Sequence, residues 1–365
     1  MKILFLVTHL LSGGAERTVS YLSSYMAKKG WDVTVLSITD DIFYELGEGV
    51  KLVKLGIPSS SRNIADRALN VVRRYIYASK EVKKRSPDVV FCMLPDVAKY
   101  ILGTCERNRI KLLTSERNNP QFVQSKNEIN TKIKVFNQAD GIVFQTERVT
   151  ENFSEDIKRK GRLIHNAVGN EQVYTAVTPE IREKKFTAIG RLDQQKDYPT
   201  MFRAFAKVLE KHPEYSLEIF GGGSDLEKLT NMAKELGIAD NVRFMGVSKN
   251  AITEAAKGSC FVMSSIFEGM PNALMEAMAV GLPCVSTDCP YGPAELIEDG
   301  VSGLLVPVGD SDALAEAMLK MIEDTAFAEE CGRKAKAILD THSIDAIAEQ
   351  YCKFITEKVK GVVND

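Results

Sequence analysis

The sequence lacks several features that would assign it to whole classes of protein. It contains no run of about 18 apolar residues, so we expect no membrane-spanning helix. Its seven cysteines are an odd number without a C-x-x-C pair, which argues against a disulfide framework and a zinc site. The first apolar stretch, Ile3 to Val7, is shorter than the roughly 7–15 residues of a signal peptide core. We therefore expect a buried first strand and a cytoplasmic protein.

The composition is that of a globular chain, and its apolar runs are short and regularly spaced. The 365 residues are 44% hydrophobic and 26% charged, which suits two domains of ordinary size. Short runs that are apolar throughout and alternate with helical segments are typical of parallel sheets covered on both faces. The expected strands are 2–8, 31–38, 87–94, 111–115, 141–146, 185–190, 216–223, 241–246, 259–264, 282–287 and 303–307.

The alternation stops at a polar, turn-rich linker over 165–184 and then restarts, so we predict an α/β fold of two doubly wound domains. The predicted domains are 1–165, 166–340 and a final helix, 341–365, that packs back towards the first domain. Ligands bind beyond the carboxyl ends of such strands. We expect the two sets of strand ends to face a central cleft.

The net charge of −2 hides an asymmetry between the two halves. Residues 1–165 carry 27 Lys and Arg against 18 Asp and Glu, a net charge of +9, whereas the rest carries 20 against 31, a net charge of −11. Eight basic and two acidic residues lie within 62–85. This segment is either a solvated helix face or a surface for anionic lipid or an anionic acceptor, and the sequence leaves both open. We predict no nucleic-acid partner.

Three loops that follow predicted strands carry residues suited to phosphate. Gly13 and Gly14 precede the first helix, but the sequence there is not G-x-G-x-x-G, which disfavours a nicotinamide cofactor. Arg191 and Lys196 follow the first strand of the second half, and two cations there suit a diphosphate. The glycines of 221–223 would let a ligand approach the backbone closely. Taken alone, the glycine loops are better explained as ordinary turns, and Arg191 and Lys196 as solvated surface charges.

The stretch F-E-G-M-P-N-A-L-M-E-A-M-A-V-G-L-P, 267–283, places two glutamates around a helix start. Pro271 fits the first turn of a helix and Gly281 fits its end. Glu268 would then lie in the loop before the helix and Glu276 on its second turn. The free N–H groups of the first turn could bind phosphate or sugar oxygens, while the carboxylates accept from hydroxyl pairs.

Taken together, these motifs resemble the retaining glycosyltransferases of family 4, which have the GT-B architecture. The resemblance covers nearly the whole chain, and the 267–283 stretch matches the E-x7-E element of that family. It implies transfer of a hexosyl or N-acetylhexosaminyl group from a nucleotide-sugar, UDP-sugar being favoured, with retained anomeric configuration. It implies no metal or other cofactor, because Arg and Lys neutralise the diphosphate. The other matching motifs are S-G-G-A-E-R, G-R-L-D-Q-Q-K, F-G-G-G-S and V-R-F-M-G.

The resemblance also implies roles for individual residues. Glu276 would hold the ribose hydroxyls, Glu268 would lie beside the transferred sugar, and Arg191 and Lys196 would bind the diphosphate. The remaining implied donor residues, which contact phosphate, sugar or base, are Gly13, Gly14, Gly222, Met245, Gly246, Val247, Gly269, Met270, Pro271, Asn272, Ala273 and Leu274.

The chain departs from the family pattern after the strand at 111–115. Many relatives have a histidine where this sequence has Arg117. Arginine cannot act as a base, so Arg117 is expected to contact a sugar hydroxyl, a donor phosphate or an anionic acceptor. Asp96, Glu116 and Asn118 are the candidate acceptor residues.

The leading hypothesis is a glycosyltransferase of surface-polysaccharide assembly, whose acceptor is a glycan or a lipid-diphosphate-linked saccharide. Residues 62–85 would contact the inner face of the cell membrane peripherally. The alternatives are a non-catalytic protein of the same fold that binds sugar-nucleotide or glycan, and a GT-B nucleotide-sugar epimerase.

Overall fold

The computed structural model describes residues 1–11, 13–61, 63–117, 125–169, 172–176, 179 and 181–361. The chain divides into two compact units, each with its own core. The first unit comprises Met1–Gly169 together with Ile344–Asp365, and the second comprises Asn170–Ser343. The final segment thus belongs to the same unit as the start of the chain.

The first unit contains one parallel sheet, whose strands follow the order β3-β2-β1-β4-β5-β6-β7 within the described residues. The inner strands β1, β4, β5 and β6 are almost completely buried, as their apolar sequences predict. The strands are β1 Lys2–Val7, β2 Asp32–Ser37, β3 Lys51–Lys54, β4 Val89–Cys92, β5 Lys111–Glu116, β6 Gly141–Phe144 and β7 Gly161–Leu163.

The second unit repeats this design with a sheet whose described strands follow the order β10-β9-β8-β11-β12-β13, again all parallel. Both sheets start from a central strand and reverse direction once, which is the doubly wound arrangement. The predicted fold class of two Rossmann-like domains is therefore confirmed. The strands are β8 Glu183–Ile189, β9 Ser216–Phe220, β10 Val242–Gly246, β11 Gly258–Met263, β12 Cys284–Thr287 and β13 Leu304–Val306.

Helices cover the sheets and complete the cores. None of the helices within the described ranges is long and apolar enough to cross a bilayer. Short 3-10 helices cover Arg148–Asn152 and Gln194–Lys196. The α-helices are α1 Gly14–Lys28, α2 Ile64–Arg85, α3 Pro95–Ala98, α4 Leu102–Asn108, α5 Lys126–Gln138, α6 Glu155–Lys160, α7 Gln172–Thr175, α8 Tyr198–Lys211, α9 Leu226–Glu235, α10 Ala251–Ala255, α11 Asn272–Ala279, α12 Pro293–Leu296, α13 Ser311–Glu323, α14 Thr325–Ala335, α15 Ile338–His342 and α16 Ile344–Lys360.

The last helix, α16, completes the core of the first unit. Its Tyr351 ring packs against Phe91 of β4 with 5.8 Å between ring centroids. At the surface, the Tyr25 hydroxyl of α1 donates to the Glu349 carboxylate at 2.9 Å. The carboxyl-terminal helix therefore contributes apolar side chains to a sheet formed by the first half of the chain.

All seven cysteines are free and buried. Burial raises the pKa of each thiol above its ordinary value, and to about 12 at Cys105, Cys289 and Cys352. Since only the thiolate is nucleophilic, a raised pKa and burial both suppress reaction. The others with a raised pKa are Cys92, Cys260, Cys284 and Cys331.

We therefore predict that the native protein shows no fast-reacting thiol towards dithionitrobenzoate near pH 8, where a free cysteine of pKa about 8.5 reacts readily. After unfolding in guanidinium chloride, all seven thiols should react. The absorbance of released thionitrobenzoate measures both values. One or more thiols that react rapidly in the native protein would contradict the burial of the cysteines.

Candidate active site

The central feature of the second unit is a buried carboxylate with three described side chains around it. Glu268 lies between β11 and α11, and its side chain is 8% exposed. Its Oε1 accepts from Lys196 Nζ and Ser265 Oγ, both at 2.6 Å, and its Oε2 lies 3.4 Å from Gln195 Nε2. The structure thus brings two predicted site residues, Lys196 and Glu268, into direct contact across a sequence separation of 72 residues.

Hydroxyl groups join the loops that carry this pair. Ser264 Oγ donates to the carbonyl oxygens of Lys196 and Asp197, at 2.8 and 3.0 Å. Thr287, the last residue of β12, donates from Oγ1 to the carbonyl oxygen of Ser265 at 2.7 Å. The loops that follow β8, β11 and β12 are therefore fixed relative to one another by buried hydrogen bonds.

The surroundings of Glu268 are buried from water, and the pKa values of two neighbouring groups are raised there. Burial, and after it the charge of Glu268, raises the pKa of the Cys289 thiol to about 12. Burial first, and then the charges of Asp193 and Glu268, raises the pKa of the Tyr198 hydroxyl. Tyr198 therefore remains protonated and donates to the Gly190 carbonyl oxygen at 3.2 Å. A carboxylate in such surroundings requires a cation beside it, because an unpaired buried charge is strongly destabilising.

The helix start after Glu268 is built as the sequence predicts. Met275 N–H donates to the Pro271 carbonyl oxygen at 3.1 Å, so the backbone N–H groups of Ala273 and Leu274 precede the first i→i−4 bond of α11. The same end carries the positive pole of the helix dipole. These groups and the dipole together form a position suited to an anion. Of the predicted residues here, Met270, Pro271 and Leu274 are buried, and Gly269, Asn272 and Ala273 are half-buried.

A second turn supports this loop from behind. The Glu268 N–H donates to the Pro290 carbonyl oxygen at 3.3 Å. Gly292 has φ +90°, and a Cβ there would overlap the Gly269 carbonyl oxygen and lie 2.6 Å from Pro271 Cδ. Only glycine fits at this position, because any side chain would displace the loop that starts α11. Gly292 was not among the residues predicted from sequence.

Glu276 lies on the second turn of α11, as predicted, and its side chain is largely buried. The far end of the same helix is held by Arg182, which donates to the carbonyl oxygen of Gly281 at 2.9 Å. The guanidinium also donates to the carbonyl oxygens of Ala256 and Gly258, at 3.2 and 3.1 Å. Arg182 thus fixes the position of α11 relative to the start of β11, although sequence reasoning gave it no role.

The glycines after β9 allow the loop that follows this strand to lie close to the backbone of the loop after β8. Gly221 has φ +150°, and a Cβ there would overlap the Gly190 carbonyl oxygen. The Leu192 N–H donates to the Gly222 carbonyl oxygen at 3.0 Å, and a Cβ on Gly223 would overlap the Leu192 backbone. The predicted loops 190–196 and 221–223 therefore lie side by side.

The other predicted donor residues of the second unit are more exposed. Arg191 donates to Gln195 Oε1 at 2.9 Å and lies 3.1 Å from the Asp193 carboxylate, with a side chain 72% exposed. Met245, Gly246 and Val247 lie at the carboxyl end of β10, where both the Met245 and Val247 side chains are exposed.

In the first unit, Arg117 follows β5 and is held by several side chains. Its Nη2 donates to Thr18 Oγ1 at 3.1 Å, and its guanidinium contacts the side-chain amides of Asn166 and Gln145. Thr18 Oγ1 donates in turn to the Gly14 carbonyl oxygen at 2.9 Å. Arg117 is therefore linked through Thr18 to the predicted glycine loop, a connection that the sequence did not indicate.

The glycine loop itself closes tightly on a carboxylate. Gly13 is the N-cap of α1, and a Cβ there would overlap the Glu16 carboxylate. Glu16 is mostly buried, and its Oε1 lies 3.5 Å from His9 Nδ1. Gly13 and Gly14 thus occupy the predicted strand-to-helix turn, and a neighbouring acidic side chain occupies the space beside it.

The predicted acceptor residues have different outcomes. Glu116 is buried and forms an ion pair of 2.8 Å with Lys132, also buried, of α5. This pairing directs the Glu116 carboxylate into the interior, because the end of β5 is covered by α5. Asp96 is exposed on α3. Asn118 lies outside the described residues.

Two family models together match most of the sequence. The model for glycosyl transferases group 1 matches residues 176–338, and the model for Glycosyltransferase Family 4 matches residues 12–172. The chain belongs to the family 4 glycosyltransferases. The family recognised from the sequence motifs is therefore confirmed.

Two known proteins are similar in sequence to this chain. Over 368 residues the chain is 27% identical to a protein of Campylobacter jejuni, an N-acetylgalactosamine-N,N'-diacetylbacillosaminyl-diphospho-undecaprenol 4-alpha-N-acetylgalactosaminyltransferase. The match covers 97% of this chain and 99% of the relative. It is 38% identical over 224 residues to an exopolysaccharide phosphotransferase of Streptomyces coelicolor, covering 60% of this chain but only 24% of that protein.

A solved structure extends the likeness to the fold. HepE of Anabaena in complex with UDP and glucose has a TM-score of 0.80 to this chain at 18% sequence identity, covering 98% of this chain and 99% of that one. At this identity the likeness concerns the fold alone, which is GT-B as predicted for a family 4 glycosyltransferase.

We predict that Lys196→Met lowers the free energy of unfolding by about 3–5 kcal/mol, because it leaves the Glu268 carboxylate buried without its cation. The double variant Lys196→Met/Glu268→Gln should recover most of this loss. Urea denaturation followed by circular dichroism measures each value.

The matched control is Lys207→Met, which removes the partner of the exposed Asp312 carboxylate and should change stability by about 1 kcal/mol or less. Equal effects of Lys196→Met and Lys207→Met would show that burial of the Glu268 ion pair is energetically unimportant.

Proposed function

We propose that this chain is a retaining, metal-independent glycosyltransferase that moves a hexosyl or N-acetylhexosaminyl group from a UDP-sugar to a glycan or lipid-diphosphate-linked acceptor in surface-polysaccharide synthesis. The observation that carries the proposal is the Lys196–Glu268 ion pair beside the start of α11. It combines a cation, a carboxylate and helix N–H groups in one place, which is what a charged sugar donor requires.

The donor would lie along the carboxyl end of the second sheet. Its diphosphate would contact Arg191, Lys196 and the first turn of α11, while Glu276 would accept from the ribose hydroxyls. The base would lie near Met245, Gly246 and Val247. UDP is favoured because HepE, which shares the fold, forms a complex with UDP and glucose.

The reaction would proceed on one face of the sugar. The bond from the anomeric carbon to the diphosphate oxygen breaks, and the acceptor hydroxyl oxygen bonds to that carbon from the same side. The hydroxyl proton passes to the leaving phosphate oxygen. Arg191 and Lys196 would stabilise the charge that develops on the diphosphate, as a divalent cation does in other transferases.

Glu268 would act on the sugar rather than as a general base. Its carboxylate already accepts from Lys196, Ser265 and Gln195, so its position is fixed by these contacts. An anion beside the anomeric centre favours an oxocarbenium-like transition state, which carries positive charge. Lys196 would therefore serve twice, by holding Glu268 in place and by facing the departing phosphate.

The acceptor would be bound by the first unit. Arg117 is linked to Thr18 and Gly14, so we propose that it orients the glycine loop and contacts an anionic group of the acceptor. The Campylobacter relative, whose name specifies a diphospho-undecaprenol substrate, supports a lipid-linked acceptor. Glu116 does not belong to this proposed site, because its carboxylate is paired internally with Lys132.

Donor choice is tested by thermal shift with UDP, GDP and ADP. We expect UDP to raise the melting temperature most, because a ligand that binds only the folded state stabilises it. Stabilisation by GDP or ADP instead of UDP would contradict the proposed choice of nucleotide. If none of the three nucleotides raised the melting temperature, the proposed donor site would be wrong.

Catalysis is tested by Arg191→Ala, an exposed side chain whose loss should leave the fold intact. We expect kcat to fall by about 100-fold, because a cation at the leaving group is lost. The control Arg333→Ala removes a comparable exposed ion pair, with Glu330, and should retain full activity.

Nuclear magnetic resonance of the product should show that the transferred sugar keeps the anomeric configuration of the donor. The same result is expected when a metal chelator is added to the reaction. An inverted product, or equal activity of both variants, would contradict the mechanism.

A further inference from the structure

Helix α2 of the first unit exposes a stripe of large apolar side chains. Leu69, Val72 and Ile76 are 46%, 51% and 56% exposed. Their spacings of three and four residues place them on one face of the helix. We call these three residues the outer stripe. Val71, Tyr75 and Tyr77 of the same helix are also exposed. Contiguous exposed apolar surface of this kind marks an interaction site more often than scattered residues do.

The opposite face fixes the helix to the unit by a narrow contact. Asn70, Ala78 and Val82 are the residues of α2 that are buried. Arg74 adds hydrogen bonds to the Tyr100 hydroxyl at 3.3 Å and to the Pro58 carbonyl oxygen at 3.4 Å. The outer stripe is therefore held facing away from the core of its own unit.

Basic side chains continue and flank the outer stripe. Arg73 and Lys80 lie one turn after Leu69 and Ile76, and Lys83 follows on the stripe's own face. Helix α2 carries seven Lys and Arg against two Asp and Glu, a net charge of +5. One of the two acids, Glu81, is already paired with Arg85 at 3.0 Å. The exposed face thus has two parts, an apolar stripe along its middle and a cationic region that is densest towards its carboxyl end.

A second helix has the same character. Ile129 and Ile133 of α5 are exposed one turn apart, with Lys126 and Lys134 on the same helix. The steps from β3 to β4 and from β5 to β6 run in the same direction across the sheet. Right-handed crossovers therefore place α2 and α5 on the same face of the sheet.

This combination distinguishes a lipid surface from a second copy of the chain. Apposing two α2 helices would bring two net charges of +5 together, which opposes self-association. An anionic bilayer can bind both parts of the exposed face of α2. The apolar side chains enter the acyl boundary, and the Lys and Arg side chains reach the lipid phosphates. Tyrosines such as Tyr75 and Tyr77 are typical of that boundary.

We infer that the protein docks on an anionic membrane with α2 lying in the interface, the outer stripe inserted and Arg73, Lys80, Lys83 and Lys84 on the lipid phosphates. The inference rests on the proposed function, since it brings the first unit to a lipid-linked acceptor. Binding requires both shallow insertion of apolar side chains and attraction between opposite charges. The protein should therefore not bind a neutral bilayer, and a variant of α2 without its cations should not bind an anionic one.

The test is sedimentation of the full chain with vesicles of phosphatidylcholine, with and without phosphatidylglycerol. Wild type should bind the vesicles that contain phosphatidylglycerol. Leu69→Ser/Val72→Ser/Ile76→Ser should bind them about 100-fold more weakly, because three apolar side chains are lost. Lys80→Gln/Lys83→Gln/Lys84→Gln should lose a similar factor. The control Leu226→Ser/Val308→Ser replaces exposed apolar residues of the second unit and should bind as wild type.

Failure of wild type to bind, or wild-type binding by the outer-stripe variant, would overturn the inference. Dimerisation that the outer-stripe variant abolishes would assign the stripe to a self-interface and overturn it as well. Sugar transfer to a water-soluble acceptor is measured in parallel. Transfer without vesicle binding refutes only the membrane surface, whereas vesicle binding without transfer refutes only the proposed function.

Discussion

The second unit depends on one desolvated ion pair, between Lys196 and Glu268. A lysine and a carboxylate removed from water are stable only if each keeps the other and the remaining hydrogen-bond capacity is satisfied. Ser265 and Gln195 supply that capacity. Because Lys196 follows β8 and Glu268 follows β11, the pair also joins the ends of two adjacent strands. The position of the carboxylate is therefore determined before any ligand arrives, which is the condition for electrostatic catalysis without reorganisation.

Close backbone packing imposes a second constraint, which acts through glycine. The start of α11 needs the 290–292 turn behind it, and the loop after β8 needs the 221–223 turn beside it. At Gly292 and Gly221 a side chain would meet backbone rather than a flexible neighbour, so substitution there cannot be absorbed by rotamer changes. These glycines shape the site from behind, whereas the helix N–H groups of α11 are the part that a phosphate would contact.

The sequence predicted the architecture and the position of the main motifs because both depend on local pattern. Buried parallel strands are apolar throughout, and the E-x7-E element carries its own helix signals. The strands that were missed, β3 and β7, are mostly exposed edge strands, so they lack an apolar run. Which side chains meet was less predictable. Ser265 and Gln195 look like ordinary loop residues, and Glu116 looked accessible because nothing local indicates that α5 covers the end of β5.

The same limit explains why 62–85 was recognisable only as basic. A helix pattern is usually interpreted on the assumption that its larger apolar side chains face the core. In α2 the assumption fails in part, since the face towards the core carries Asn70, Ala78 and a single larger apolar residue, Val82. The three residues of the outer stripe face outwards instead. Burial of the smaller side chains contributes little to the stability of the first unit, and exposure of the larger ones has a cost in water. That cost is relieved only when something apolar covers them, and the adjacent lysines restrict this covering surface to one that is also anionic.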